Sequence, residues 1–335
     1  MSRSLYFTGP TEVAVRERDR PTPGPDELLV ESDLTAISTG TELLVYRGEI
    51  ERAIAADDTI EALSGTFEYP FRYGYAAVGR VVETGDAVDG WEGERVFAFN
   101  PHESHFLTTP ESVVRVPDGV GTERAVFLAN AEAAVNFVMD GRPMVGERVC
   151  VFGQGVVGLL TAGLLAAFPL AELVTVEPSA RRRDLSRSVG ATRAIDPDTG
   201  VSVRGALADG ECDGADLTYE LSGNPDALGA AIDATGYAGR VVIGSWYGTK
   251  PVELTLDGRF HRSHVRLRSS QVSRVDPEHA GRWDKERRLD VAWDRLDALR
   301  PERFITHRLP VERADEAYRL LDDEPETAVQ TVLTY

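Results

Sequence analysis

The feature that most constrains the fold is the stretch Arg148-Val149-Cys150-Val151-Phe152-Gly153-Gln154-Gly155-Val156-Val157-Gly158. A run rich in Val and Phe breaks into Gly-x-Gly-x-x-Gly, and residues 159–167 read as a helix. That order specifies a buried strand, a tight turn and a helix start. Gly153 permits the turn, Gly155 lets the backbone approach a pyrophosphate, and Gly158 allows close packing of helix on strand. Around them Gln154, Val156 and Val157 lie where free N–H groups and the positive end of the helix dipole favour phosphate. A second strand, Leu173-Val174-Thr175-Val176, ends in Glu177, 19 positions after Gly158. An acid there is the expected partner of the adenosine ribose hydroxyls, so the turn is read as a dinucleotide site.

Alternation of strand and helix continues beyond Glu177. Residues 181–189 read as a helix, 216–221 as a strand, 225–235 as a helix and 239–244 as a strand, the pattern of a doubly wound parallel sheet. Residues 1–120 differ, with short strands at 28–32, 78–83 and 95–99 separated by Pro- and Gly-rich turns, the signature of a β-rich partial barrel. Helical spacing returns at 282–299 and 312–321, with strands at 304–309 and 328–333. The expected organisation is one domain from 1–120 and 265–335, with a dinucleotide-binding domain at 121–264 inserted between its parts.

Charge narrows the partners. The chain carries 55 acidic against 36 basic residues, a formal charge of −19, and its lysines are Lys250 and Lys285 alone. Acids are dispersed, as in Asp57-Asp58, Asp196-Pro197-Asp198 and Asp322-Asp323-Glu324. Dispersed negative charge with almost no lysine fits a salt-rich cytoplasm, where ions screen self-repulsion. Nucleic acid is excluded as a partner, because phosphate contacts need clustered Lys and Arg. No apolar run reaches membrane-spanning length, and Met1-Ser2-Arg3-Ser4-Leu5-Tyr6-Phe7 lacks a signal-peptide core, so a cytoplasmic location is expected. Cys150, in a strand, and Cys212, in a Gly/Asp loop, make no disulfide scaffold.

Several segments together resemble the medium-chain dehydrogenase/reductase superfamily, the relatives of zinc alcohol dehydrogenase. Ala36-Ile37-Ser38-Thr39-Gly40-Thr41-Glu42, followed by Tyr46-Arg47-Gly48, is similar to the segment that usually reads Cys-Gly-Thr/Ser-Asp then Tyr-x-x-Gly. Phe71-Arg72-Tyr73-Gly74-Tyr75-Ala76-Ala77 resembles the segment usually carrying Gly-His-Glu. Glu220-Leu221-Ser222-Gly223-Asn224 and residues 239–244 resemble later cofactor strands, which adds Ser222, Gly223, Gly244 and Ser245 to the cofactor contacts. The Ser-x-Gly-Thr-Glu form is that of a subgroup including bacteriochlorophyllide dehydrogenase-like proteins. The resemblance implies a Rossmann domain plus a GroES-like catalytic domain, hydride transfer between a nicotinamide cofactor and a small alcohol or carbonyl, and a homodimer or homotetramer.

The departures from that pattern shape the expected chemistry. Ser38 replaces a zinc-binding Cys, Tyr75 and Ala76 replace His and Glu, and the four-cysteine zinc lobe is missing. Hydroxyls are poor zinc ligands, so no zinc is expected; an improvised site would draw on His102, His105 and a carboxylate, Glu132 or Glu42. Without a metal, a donor must stabilise charge on the substrate oxygen, and Ser38, Thr41, Tyr75 and His102 are the candidates. Each has a plainer role available: turn hydrogen bonds for Ser38 and Thr41, aromatic packing for Tyr75 and a solvated loop for His102. Glu42 could accept from a cofactor or substrate hydroxyl, with an ion pair to Arg47 as the equal alternative. His261 and Gln271 lie close to the expected domain junction and could reach the cleft, with structural hydrogen bonding as the plainer role. Trp246 and Tyr247 are read as walls of the nicotinamide pocket or packing contacts. Glu177 favours NAD by repelling a 2′-phosphate, whereas Arg181, Arg182 and Arg183 leave NADP as the alternative. A zinc-free quinone or enoyl reductase and a non-catalytic redox sensor are the competing functions.

The charge balance makes one prediction directly. Melting temperature should rise as KCl goes from dilute to molar concentration, through screening of acid repulsion. Thermal melts across that range test it, and a flat or falling trend counts against a salt-adapted surface.

Overall fold

A computed structural model describes residues 1–57, 59–208 and 213–335, leaving Asp58 and Cys212 outside the described residues. The chain forms two compact units, Met1–Ala129 with Arg300–Tyr335, and Asn130–Leu299.

The second unit is built on a six-stranded parallel sheet in the order Arg193–Ile195, Glu172–Val176, Arg148–Phe152, Ala215–Glu220, Thr235–Ile243, Arg266–Ser269. Two crossovers run outward from Arg148–Phe152 on one side before the chain crosses to the other. This order places a topological switch between Arg148–Phe152 and Ala215–Glu220. Apolar side chains on both faces explain why these central strands read as near-continuous hydrophobic runs. Cys150, Phe152, Val174 and Val241 pack against Leu228 and Ile232 on one face. Val149, Val151, Leu217 and Tyr219 pack against Phe137, Ala162 and Leu165 on the other.

The boundary expected at residue 265 falls instead at Arg300. Arg266–Ser269 adds in parallel to Thr235–Ile243, with Val241 opposite Leu267, and so completes the second unit's sheet. The helix Lys285–Leu299 stays with the same unit. Its Arg288 is fully buried and donates to Glu132 Oε1 at 2.7 Å, Asn136 Oδ1 at 2.6 Å and Val272 O at 2.6 Å. A strand reading Arg-Leu-Arg-Ser carries too little apolar pattern to be assigned from sequence. Residues 121–129, expected in the dinucleotide domain, belong to the first unit.

The first unit is β-rich. Ser2–Gly9 and Glu12–Arg18 form an antiparallel hairpin. A larger sheet runs Ile305–Pro310, Gln330–Thr334, Leu28–Ala36, Ala77–Thr84, Arg95–Ala98, Val113–Arg115, with His105–Thr108 also pairing on Leu28–Ala36. The tail therefore does return: Gln330–Thr334 lies antiparallel to Leu28–Ala36, with Val332 opposite Ala36. A helix not anticipated from sequence, Thr39–Arg47, packs with Ala314–Asp323 around Leu43, Tyr46, Tyr318 and Phe7. Tyr46 stacks on Tyr318 with ring centres 5.4 Å apart. Among the described residues no helix is long and apolar enough to cross a membrane.

The buried pair of Arg288 and Glu132 yields a stability prediction. Arg288→Met leaves Glu132 charged and unpaired inside the unit and should cost about 3–5 kcal/mol. Adding Glu132→Leu should recover most of that loss, as measured by denaturant unfolding of the single and double variants. A double variant no more stable than the single one would contradict the uncompensated charge as the cause.

Candidate functional site

Two arrangements of polar groups stand out, one in each unit. In the second unit, Gly153 has φ of +84°, and a Cβ there would lie 2.5 Å from Ser222 Cα. At Gly158 a Cβ would meet Gly153 O at 2.0 Å. Both positions therefore exclude any side chain. Gly155 is the reverse case: it caps the helix Val156–Leu165 with no side-chain hydrogen bond, and a Cβ on it would meet nothing within 4 Å. The first turn of that helix thus offers N–H donors beside open space, an arrangement that suits a phosphate group. The Gln154 side chain donates to Gly153 O at 2.8 Å and ties the turn to itself.

Glu177 lies at the end of Glu172–Val176 and is 4 % exposed. Its Oε2 accepts from the Gln154 N–H at 2.7 Å and its Oε1 from the Ser179 N–H at 3.1 Å. The carboxylate is thereby fixed to the glycine turn itself, with lone pairs left to accept from further donors. Arg182 Nη1 is 3.9 Å from Glu177 Oε1. Arg183 is held by Asp196 at 2.9 Å and by Glu177 O at 2.8 Å, while Arg181 is exposed. The three arginines thus differ, and the one nearest the acid is Arg182.

Across the switch, Glu220 is fully buried at the end of Ala215–Glu220. It accepts from the Ser222 N–H at 2.8 Å and from the Ser222 and Tyr247 hydroxyls. Gly223, with φ of +70°, donates its N–H to Ser245 Oγ at 2.9 Å. Lys250 Nζ donates to Gly223 O at 3.2 Å. At Gly244 a Cβ would meet Leu221 and Phe137, each at 2.6 Å. Ser222, Gly223, Gly244 and Ser245 thus belong to one network that had no local signal beyond an acid ending an apolar strand. Burial and the Glu220 charge raise the Tyr247 phenol, which stays protonated as a donor. Tyr247 is therefore engaged within this network, and Trp246 is partly exposed. His261 and Gln271 are exposed, the latter bonded to Ser273 Oγ at 2.6 Å.

In the first unit, Ser38 stands at the N-terminus of the helix Thr39–Arg47 but makes no side-chain cap. Its hydroxyl is hydrogen-bonded to the Tyr75 phenol, which also donates to Thr41 Oγ1 at 3.2 Å. Burial raises the Tyr75 phenol against the lowering effect of these hydroxyl bonds, so it remains protonated through neutral pH. Ser38, Thr41 and Tyr75 are thus brought together. His102 is placed differently. It is fully buried, with Nε2 2.9 Å from Glu42 Oε2 and Nδ1 2.7 Å from Thr35 Oγ1. Neither a solvated histidine nor a Glu42–Arg47 pair exists: Arg47 pairs with Asp322 at 2.5 Å. Glu42 also accepts from the Ser38 N–H at 2.7 Å and from the Tyr318 hydroxyl. Thr35 and Tyr318 were missed because nothing local distinguishes them from ordinary strand and helix residues.

The donor set is a poor match to zinc, which takes about three Cys, His or carboxylate ligands. Ser38 and Tyr75 are bonded to each other, and among the described residues no group of three His, Cys, Asp or Glu side chains is placed to hold a metal. Of the improvised set, His102 and Glu42 lie together at 2.9 Å but are bonded to each other, Glu132 is taken by Arg288, and His105 bonds Ser104 Oγ at 3.1 Å. By contrast the open helix N-terminus, the excluded side chains at Gly153 and Gly158 and the fixed Glu177 carboxylate fit a dinucleotide.

The position of Gly74, with φ of +118°, is set by the same cluster, since a Cβ there would lie 2.7 Å from His102 Nε2. Gly74→Ala should therefore destabilise the protein by roughly 2–4 kcal/mol, combining backbone strain with overpacking. A melt indistinguishable from wild type would show that the imidazole has room to move.

Comparison with known proteins adds three kinds of finding. Residues 156–283 match the zinc-binding dehydrogenase family. The chain is 27% identical over 256 residues to L-threonine 3-dehydrogenase of Xanthomonas campestris pv. campestris (strain B100), covering 67% of this chain and 71% of that one. In structure it resembles 2R,3R-butanediol dehydrogenase from Bacillus subtilis, with a TM-score of 0.80 at 18% identity over 100% of both chains. A protein from Sinorhizobium meliloti 1021 of zinc-binding dehydrogenase type, bound to NADP, gives a TM-score of 0.79 at 21% identity, over 100% of this chain and 99% of that one.

Proposed function

We propose that this member of the medium-chain dehydrogenase/reductase superfamily interconverts an alcohol and a ketone or aldehyde, using NAD and hydroxyl donors in place of zinc. The observation that carries the reading is the glycine turn joined to Glu177 by the hydrogen bond from the Gln154 N–H, at 2.7 Å. When bound there, the nicotinamide dinucleotide supplies or accepts the hydride. The N–H groups at the start of Val156–Leu165 hold its pyrophosphate, and Glu177 accepts from the ribose hydroxyls. A 2′-phosphate would meet the buried charge of Glu177, which favours NAD; Arg182 at 3.9 Å offsets that repulsion in part. Ser222, Gly223, Gly244 and Ser245 shape the carboxyl end of the sheet that receives the rest of the cofactor.

The chemical step requires a proton donor for the oxygen of the carbonyl or, in reverse, an acceptor from the alcohol. Tyr75 fills that role, with its phenol oriented by Ser38 and Thr41 and kept protonated by burial. L-threonine and 2,3-butanediol, named for two of the similar proteins, are both secondary alcohols, and a secondary alcohol is the substrate class assigned here. The surface charge and lysine content support a salt-adapted cytoplasmic enzyme.

Calorimetric titration with NADH and NADPH tests the cofactor assignment. NADH should bind more tightly, and Glu177→Ala should narrow or reverse the preference; equal affinities in the unaltered protein would overturn it. Purified protein should carry much less than one zinc per chain, with turnover surviving chelation. Tyr75→Phe should lower kcat by about 10²–10⁴-fold with NADH affinity unchanged. Stoichiometric zinc, with activity lost on chelation and restored by the metal, would defeat the metal-free mechanism.

A further inference from the structure

We propose that His102 and Glu42 are a positioning pair that sets the separation of Ser38 and Tyr75, and that His102 acts through these neighbours rather than on substrate. The proposal rests on the reading of Tyr75 as proton donor and assigns the residues that hold it.

The imidazole is fully buried and both its nitrogens are committed, Nε2 to Glu42 at 2.9 Å and Nδ1 to Thr35 at 2.7 Å. Thr35 Oγ1 is in turn 3.1 Å from the Tyr335 hydroxyl. No ring nitrogen remains free to contact a ligand directly. What the ring does instead is lie against one neighbour of each half of the donor pair, Glu42 beside Ser38 and Gly74 beside Tyr75. On one side Glu42, held by His102 through Oε2, uses Oε1 to accept from the Ser38 N–H at 2.7 Å. This is the carboxylate half of a capping box at the start of the helix Thr39–Arg47, while the Ser38 hydroxyl makes no cap and is hydrogen-bonded to Tyr75 instead. On the other side the ring closes the space beside Gly74, where a Cβ would lie 2.7 Å from Nε2. Gly74 immediately precedes Tyr75, so the ring limits where the backbone carrying the phenol can lie.

The consequence is a cross-brace just beyond the end of the pairing between the two segments, where the Ala36 N–H donates to Ala76 O at 2.9 Å. Ser38 is held through the Glu42 carboxylate and Tyr75 through the crowded position of the adjoining Gly74, and one imidazole is common to both. Tyr318, which donates to Glu42, fixes the carboxylate from a third direction. A functional group kept in one geometry by buried partners loses little entropy when it reacts, which is the value of such support. Removing the ring should therefore loosen the Ser38–Tyr75 hydrogen bond without touching either residue.

The test labels the whole chain with 3-fluorotyrosine and identifies the Tyr75 fluorine signal by its loss in Tyr75→Phe. His102→Leu removes both ring hydrogen bonds, whereas His102→Gln retains an amide able to donate to Glu42 and to accept from Thr35. Glu42→Gln keeps the shape and removes the charge, and it decides the matter if His102→Leu does not fold. The Tyr75 signal should shift and broaden in His102→Leu and in Glu42→Gln, and return towards the wild-type position in His102→Gln. An unchanged Tyr75 signal in a folded His102→Leu or Glu42→Gln protein would overturn the proposal, as would a His102→Gln signal no nearer wild type than that of His102→Leu. NADH titration of the same proteins is read separately and should give one affinity throughout. Failure of the wild-type protein to bind NADH would refute the functional reading, while the Tyr75 signals would still decide the positioning role.

Discussion

The second unit depends on a backbone approach that permits no Cβ. At the carboxyl ends of Arg148–Phe152 and Ala215–Glu220, Gly153 lies so near Ser222 that any side chain would have to displace main chain, not a flexible tip. Gly158 is pressed against Gly153 O in the same way. These two contacts bring the turn, the helix Val156–Leu165 and the neighbouring strand end together, and only then does the Glu177 carboxylate reach the Gln154 N–H. The Glu177 carboxylate and the first turn of the helix Val156–Leu165 are therefore held in one register by glycine packing. Substitution at either glycine would disturb both at once.

The first unit solves a different problem, the burial of a carboxylate and an imidazole. Isolated, each would carry a large desolvation penalty, which is relieved only where every lone pair and proton is matched. Glu42 meets that condition through Ser38, His102 and Tyr318, and His102 through Thr35. A network so fully paired contributes order more than raw stability, since an apolar replacement of the same shape could be equally stable. It reaches Ser38 directly, through the Ser38 N–H on the Glu42 carboxylate.

Legibility followed the range of the determining interaction. The Gly153–Gly158 turn, the acid at Glu177 and the alternation of strands with helices are local, and periodicity with glycine spacing exposed them. Ser38 and Tyr75 were found only by resemblance to segments with other residues in those places. Their mutual hydrogen bond joins positions far apart in sequence. His102 was singled out for its chemistry, yet its setting was misjudged, because a histidine in Asn100-Pro101-His102 looks like part of a loop while Thr35 and Glu42 enclose it from elsewhere. Arg266–Ser269 was lost for the opposite reason. Its arginines read as surface, and its place in the sheet is dictated by the edge that Thr235–Ile243 presents.

The pairing of Gln330–Thr334 with Leu28–Ala36 has a consequence for biosynthesis. Asn130–Leu299 is one continuous segment and emerges from the ribosome with every strand of its sheet already made. The other unit must wait, holding Leu28–Ala36 with one neighbour missing until Gln330–Thr334 is translated. Long sequence separation makes that closure slow relative to local folding, and an unpaired apolar strand is exposed meanwhile. The order of synthesis thus favours a nascent chain whose nucleotide fold is complete while its β-rich partner still presents an open edge. During that interval a chaperone has more to protect in residues 1–129 than in residues 130–299.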